Sequence, residues 1–137
     1  MRSLFTETLR YLGALATIVV GAVHLQQYAD FISDVPTIGV LFLLNGLGAG
    51  VVAVLLATRR AALGALAGVA LSAGALVSLA ISMTDAGLFD YTEPTLRSAV
   101  VVAIASEAIA IVLLAAYLLL RRAPTRARVD WTAQASS

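Results

Sequence analysis

Four apolar stretches, at about residues 11–28, 37–57, 61–83 and 98–120, take up most of this chain. Each approaches or exceeds the roughly 20 residues that an α-helix needs to cross a bilayer. Composition points the same way. Of the 137 residues, 61% are hydrophobic and 12% charged, and the mean hydropathy is +0.95. A water-soluble domain of this size is closer to half apolar and a quarter charged, so such a core would lack the polar surface to cover it. The fold class expected is all-α: an integral membrane bundle of four helices over residues 1–122, followed by a polar, basic tail at 123–137. The tail has no helical periodicity and reads as a disordered cytoplasmic segment.

The first stretch follows Arg2 and Arg10, as the apolar part of a signal peptide would. No small-x-small cleavage site follows it, so it is read as a retained span. The second begins just after Pro36, a residue suited to the first turn of a helix. Orientation follows from the arginines, which supply all nine basic residues. Eight of them lie before the first span, between the second and third, or after the fourth. The positive-inside rule then places both termini in the cytoplasm and the protein in the cytoplasmic membrane. Tyr28, Phe31, Phe89 and Tyr91 fall near the outer boundary, and Phe5, Tyr11 and Tyr117 near the inner one, as interfacial belts do.

The chain echoes itself. Leu12-Gly-Ala-Leu-Ala16 recurs as Leu63-Gly-Ala-Leu-Ala67, and Arg59-Arg60 recurs as Arg121-Arg122. Asn45 and Glu107 have the same separation as the arginine pairs. These matches are expected of two parallel hairpin repeats related by an axis along the membrane normal. Chance similarity between Leu/Ala/Gly-rich spans is the alternative.

Glu107 is the chemical anomaly. At about 1.5 Å per residue it lies about 14 Å in from Ser98, near the midplane of a hydrocarbon core about 30 Å thick. Asn45 lies about 12 Å in from Thr37, and His24 about 6 Å below Tyr28. A carboxyl at that depth normally faces protein or water rather than lipid. Two readings follow. Glu107 is interhelical glue, bonded to Asn45 or a backbone carbonyl. Alternatively, Glu107, Asn45 and His24 form a proton- or cation-linked polar track, with His24 nearer the outer entrance.

Gly13, Thr17, Gly21, His24 and Tyr28 recur at helical spacing along one face of the first span. Gly46 and Gly50, and Gly64 and Gly68, form GxxxG patterns that let helix backbones approach closely. The third span, rich in Ala, Gly and Ser, reads as the central packing helix or a dimerisation face. The outer acids Asp85, Asp90 and Glu93 read as a solvated loop.

With one His and no Cys, a bis-histidine haem within one chain and a thiolate metal site are both excluded. No nucleophile-elbow, phosphate-loop, dinucleotide or zincin motif occurs, and no basic patch suggests nucleic acid. No cofactor, metal or catalytic residue is expected. In size and helix count the chain resembles several families of small four-helix bacterial membrane proteins, the DoxX-like group among them, although no diagnostic motif places it in any. The leading functional expectation is a non-enzymatic accessory or assembly component, self-associating or bound to another membrane protein. The alternative is a small transporter or channel using the Glu107, Asn45 and His24 set.

Overall fold

The computed structural model describes residues 2–93 and 95–122, so the tail at 123–137 lies outside the described residues. Four helices follow in order: α1, Arg2–Gln27; α2, Ile38–Ala57; α3, Ala61–Ser82; and α4, Ser98–Arg122. All four are long and apolar enough to cross a membrane. Many large side chains lie exposed around the bundle, among them Val54, Leu63, Val77, Val112 and Leu119. In water so extensive an apolar surface would drive aggregation, whereas against lipid tails it is the expected exterior.

α1 begins well ahead of its apolar run. Leu9 is buried in the bundle, and a Glu7–Arg10 ion pair of 3.1 Å spans one turn of the amphipathic start. At its other end α1 passes into a π-helical turn, Tyr28–Ile32, in which the Ser33 amide donates to the Tyr28 carbonyl at 2.9 Å. The helical path thus runs past Tyr28 to Ile32, which is buried.

Successive helices pack side by side and α4 closes the ring against α1, so α1 faces α3 only across the diagonal. The expectation that α3 is the central helix is corrected: α1 makes the most extensive contacts and the largest share of its span is buried. The physical reason is its stripe of small residues. Gly13, Thr17, Gly21 and His24 are all buried, and the Thr17 hydroxyl turns back to the Gly13 carbonyl at 2.8 Å.

Close approach depends on particular glycines. A Cβ on Gly21 would stand 2.8 Å from the Ala49 Cβ and 3.1 Å from the Gly46 carbonyl oxygen. One on Gly46 would meet Leu25, and one on Gly13 would overlap Leu114. On α3, a Gly64 Cβ would lie 2.9 Å from the Leu56 backbone nitrogen, and a Gly68 Cβ 2.6 Å from Leu114. Gly50 is a correction: nothing lies within 4 Å of where its Cβ would be, and the residue is exposed. In α2, Gly46 meets α1 while Gly50 has rotated away from every neighbour.

At the end carrying the termini and the α2–α3 connection, Leu9, Val52, Leu56, Ala61, Ala65, Leu114 and Tyr117 form a dry core. Tyr117, expected in an interfacial belt, is buried there, with the Arg121 guanidinium 5.8 Å from its ring centroid. The opposite end carries the π turn and the α3–α4 connection and is packed differently.

Candidate functional site: a cavity at the loop end of the bundle

Between the four helices at the loop end lies a cavity of about 370 Å³. Its walls are mostly apolar, supplied by residues such as Leu41, Leu71, Leu79 and Val100. Polar groups come from every helix: His24 and Gln27 on α1, Asn45 on α2, Ser78 and Ser82 on α3, and Glu107 on α4. All three residues singled out by depth, Glu107, Asn45 and His24, therefore line one space.

Their mutual geometry differs from the expectation. The Glu107 carboxyl faces His24, with Nε2 3.6 Å from Oε1, and both side chains are buried. The two groups are adjacent but beyond hydrogen-bond length. His24 is thus no outer gatekeeper; it stands at the carboxyl itself. Asn45 makes no hydrogen bond to Glu107. Its Oδ1 and the second Glu107 oxygen, Oε2, are buried without a hydrogen-bond partner.

The imidazole is oriented from behind. Its Nδ1 is 2.9 Å from the Val20 carbonyl, which can only accept, so Nδ1 carries a proton. In a neutral ring Nε2 is then a bare acceptor aimed at a carboxyl. Two acceptors that close in a buried site repel, so one further proton belongs to the pair, on Glu107 or on Nε2. Phe42 closes one side of the ring at a centroid separation of 5.0 Å.

The α3–α4 connection covers the cavity's end. Leu88 and Tyr91 exchange backbone hydrogen bonds of 2.8 and 3.0 Å around a turn whose tip residues, Phe89 and Asp90, have φ of 50° and 62°. Leu88, Tyr91 and Glu93 all line the cavity. The Glu93 amide donates to the Ser82 carbonyl at 2.8 Å, fastening this lid to the end of α3. Arg97 grips the Glu93 carboxylate with two donors, Nη2 at 2.6 Å and Nε at 3.2 Å, and the Tyr91 hydroxyl donates to it at 2.9 Å. The Arg97 guanidinium also stands 5.5 Å from the Phe31 ring centroid, linking the lid to the π turn.

Glu93 is consequently not part of a solvated acidic loop. Burial alone would raise its carboxyl, but the hydrogen bonds from Arg97 and Tyr91 outweigh burial and hold it below the ordinary carboxylate range. Burial, with the neighbouring carboxylate second, pushes the Tyr91 hydroxyl up, so it stays a donor. The hydrogen bonds to Glu93 hold Arg97 more firmly protonated. The i, i+4 spacing of Glu93 and Arg97 was the available signal for this cluster.

The cavity is also open to one side. α2 and α3 diverge along their length. Near the connection that joins them a Gly64 Cβ would press on Leu55 and Leu56; further along, a Gly48 Cβ would just reach Leu71 at 3.5 Å. At Gly74, nothing lies within 4 Å. Cavity-lining residues on these helices, including Leu44, Ala70 and Gly74, are themselves exposed on the outside of the bundle.

Among the described residues no group of three or more His, Cys, Asp or Glu side chains is placed to hold a metal ion. Comparison of the chain with known protein families, with curated proteins and with solved structures finds no match in any of the three.

Proposed function

We propose that this chain is a small ligand-binding protein of the cytoplasmic membrane, with both termini in the cytoplasm, and that its cavity lies in the outer half of the bilayer. The arginine distribution supports the orientation. The observation that carries the binding reading is the unpartnered Glu107 Oε2, buried on the wall of a cavity large enough for a small molecule. A carboxyl held only for helix packing would have that oxygen bonded to a neighbouring helix.

Two alternatives weigh less. Self-association through glycine faces competes with the bundle's own needs, because Gly13, Gly21, Gly46, Gly64 and Gly68 all face helices of the same chain. A through-channel would have to pass the dry core around Leu56, Leu114 and Tyr117, beyond the floor of the cavity. Binding without catalysis is the reading that uses the site as it is built. The repeat fits the same picture: Asn45 and Glu107 line one cavity, and Val52 and Leu114, equally spaced in sequence, meet at Gly68.

The absence of cysteine makes a direct test available. Ser78→Cys places one thiol on the cavity wall, and Thr84→Cys places one on the exposed loop. In membrane vesicles, 1-naphthalenemethanol should slow maleimide labelling at position 78 and leave position 84 unchanged. Equal effects at both positions, or none at either, would reject the cavity as a binding site. A fluorescent protein that matures only in the cytoplasm, fused at either terminus, tests the orientation; a dark fusion would reverse it.

A further inference from the structure

Resting on the binding reading above, the geometry points to the chemical class of the ligand and its route: a lipid-soluble amine that enters from the bilayer between the diverging ends of α2 and α3 and lodges its nitrogen against Glu107 and Asn45. The two unpartnered buried atoms on this wall, Glu107 Oε2 and Asn45 Oδ1, are both oxygens that accept hydrogen bonds. His24 adds no donor in its neutral form, because its one N–H is spent on the Val20 carbonyl. A cluster of acceptors selects a ligand rich in donors. An ammonium group supplies several from one atom, whereas an alcohol supplies one. A carboxylate ligand would add acceptors and a like charge.

Charge balance favours the same class. The His24–Glu107 pair holds one proton beyond the Nδ1 proton. An amine that arrives from lipid as the neutral base accepts that proton onto its nitrogen. What remains is a carboxylate and a neutral imidazole beside an ammonium, and no net charge has entered the membrane. Phe42, beside His24 on the cavity wall, adds an aromatic ring to the cation's surroundings. The leucines and Val100 enclose the apolar body.

The route follows from the packing. α2 and α3 touch backbone to side chain at Gly64, touch only through a long side chain at Gly48, and leave open space at Gly74. The lid is fastened to α3 and to the start of α4 by Glu93 and Arg97, so the lateral cleft is the opening that requires no bond to break. A Cβ on Gly74 meets nothing, so a larger residue there obstructs the cleft without disturbing the bundle.

The test uses the whole chain in lipid nanodiscs and three probes with one apolar body: 1-naphthylmethylamine, 1-naphthalenemethanol and 1-naphthylacetate. Binding is read as the excess over empty nanodiscs. The amine should bind about tenfold more tightly than the alcohol, and the acetate should show no excess. Glu107→Gln should remove the amine's advantage and retain the alcohol, whose binding reports that the variant is folded. Asn45→Leu should narrow the advantage in the same way. Gly74→Leu should slow association of amine and alcohol alike. An alcohol that binds as well as the amine in the parent protein overturns the amine assignment and leaves the binding reading standing. No excess binding of any probe overturns both. Unchanged association rates in Gly74→Leu overturn the lateral route.

Discussion

His24 and Glu107 face each other across 3.6 Å, and the far edge of the same imidazole is held at 2.9 Å by the carbonyl one turn back, Val20. That backbone contact removes one degree of freedom from the site. It fixes which nitrogen carries a proton, and so fixes that Nε2 looks at the carboxyl as an acceptor unless a second proton is present. The chain has a single histidine, which makes the consequence observable. Nitrogen NMR of ¹⁵N-histidine-labelled protein should show Nδ1 protonated at every pH at which the fold persists. A spectrum with only Nε2 protonated would mean that the Val20 contact is not formed.

The same polarity ranks substitutions at Glu107. Glutamine retains a donor, its amide N–H, for the bare Nε2, so Glu107→Gln should change stability by less than about 1 kcal/mol. Leucine leaves the buried imidazole nitrogen facing an apolar side chain with no donor, and Glu107→Leu should cost about 1–3 kcal/mol. Thermal unfolding in one detergent orders the three proteins. Equal loss for Gln and Leu would show that volume, not hydrogen bonding, is what position 107 supplies.

Glycine positions divide into those with a neighbour and those without. Gly21→Val must push α1 off Ala49 and the Gly46 carbonyl, neither of which can move aside as a flexible side chain would. Overpacking of that kind costs about 1–3 kcal/mol. Gly50→Ala meets nothing and replaces the poorest ordinary helix former with the best, which favours the helix by about 1 kcal/mol. The two variants should therefore move the melting temperature in opposite directions. A destabilising Gly50→Ala would reveal a contact at that face made only with a second molecule.

Number and length of the apolar runs made the four helices legible, with both ends close for α2, α3 and α4 but not for α1, and the spacing of Gly13, Thr17, Gly21 and His24 marked the inward face of α1. Depth placed Glu107 and Asn45 in one layer, and both line one cavity. Depth misplaced His24, and the reason is local. Counting began at Tyr28, but the π turn carries the helical path on to Ile32, so His24 lies eight residues, about 12 Å, from that end. The neighbour of the Glu107 carboxyl was not legible either. Which residue faces it depends on the sliding register of α1 against α4, and contacts such as Gly13 with Leu114 set that register between helices. Glu93 and Arg97 were readable as an i, i+4 pair, but their burial depends on how the connection folds back over the cavity.

Because the Glu93 carboxyl is held below its ordinary range, the Arg97 clamp has a definite acid limit. A carboxyl with a depressed folded pKa stabilises above its unfolded value and loses that contribution as pH falls through the folded value. The lid should therefore stay fastened from neutral pH down through pH 5 and loosen only below the ordinary carboxyl value of 4.5. Hydrogen exchange at the Glu93 amide, which is bonded to the Ser82 carbonyl, reports this directly. Arg97→Met should raise exchange there at neutral pH and abolish the acid transition. Loosening of the parent lid between pH 7 and 5 would show that another group controls it.

The tip of that lid holds backbone conformations at odds with its residues. Phe89 and Asp90 both have positive φ, the pattern of a tight hairpin turn that Asn-Gly and Gly-Gly pairs adopt readily. Asp tolerates the left-handed region, whereas Phe there costs about 1–2 kcal/mol. The Phe89 ring is exposed, so little protein packing is lost on its removal. Phe89→Gly should therefore tighten the turn, with slower exchange at the bridged amides of Leu88 and Tyr91. Gly87 presents the opposite case. Its φ is 64°, and a Cβ there would stand 2.7 Å from the Tyr91 carbonyl oxygen, so Gly87→Ala should open the bridge and speed exchange at the same amides. If the two substitutions shift exchange in the same direction, the positive-φ positions of this turn do not set the strength of the bridge.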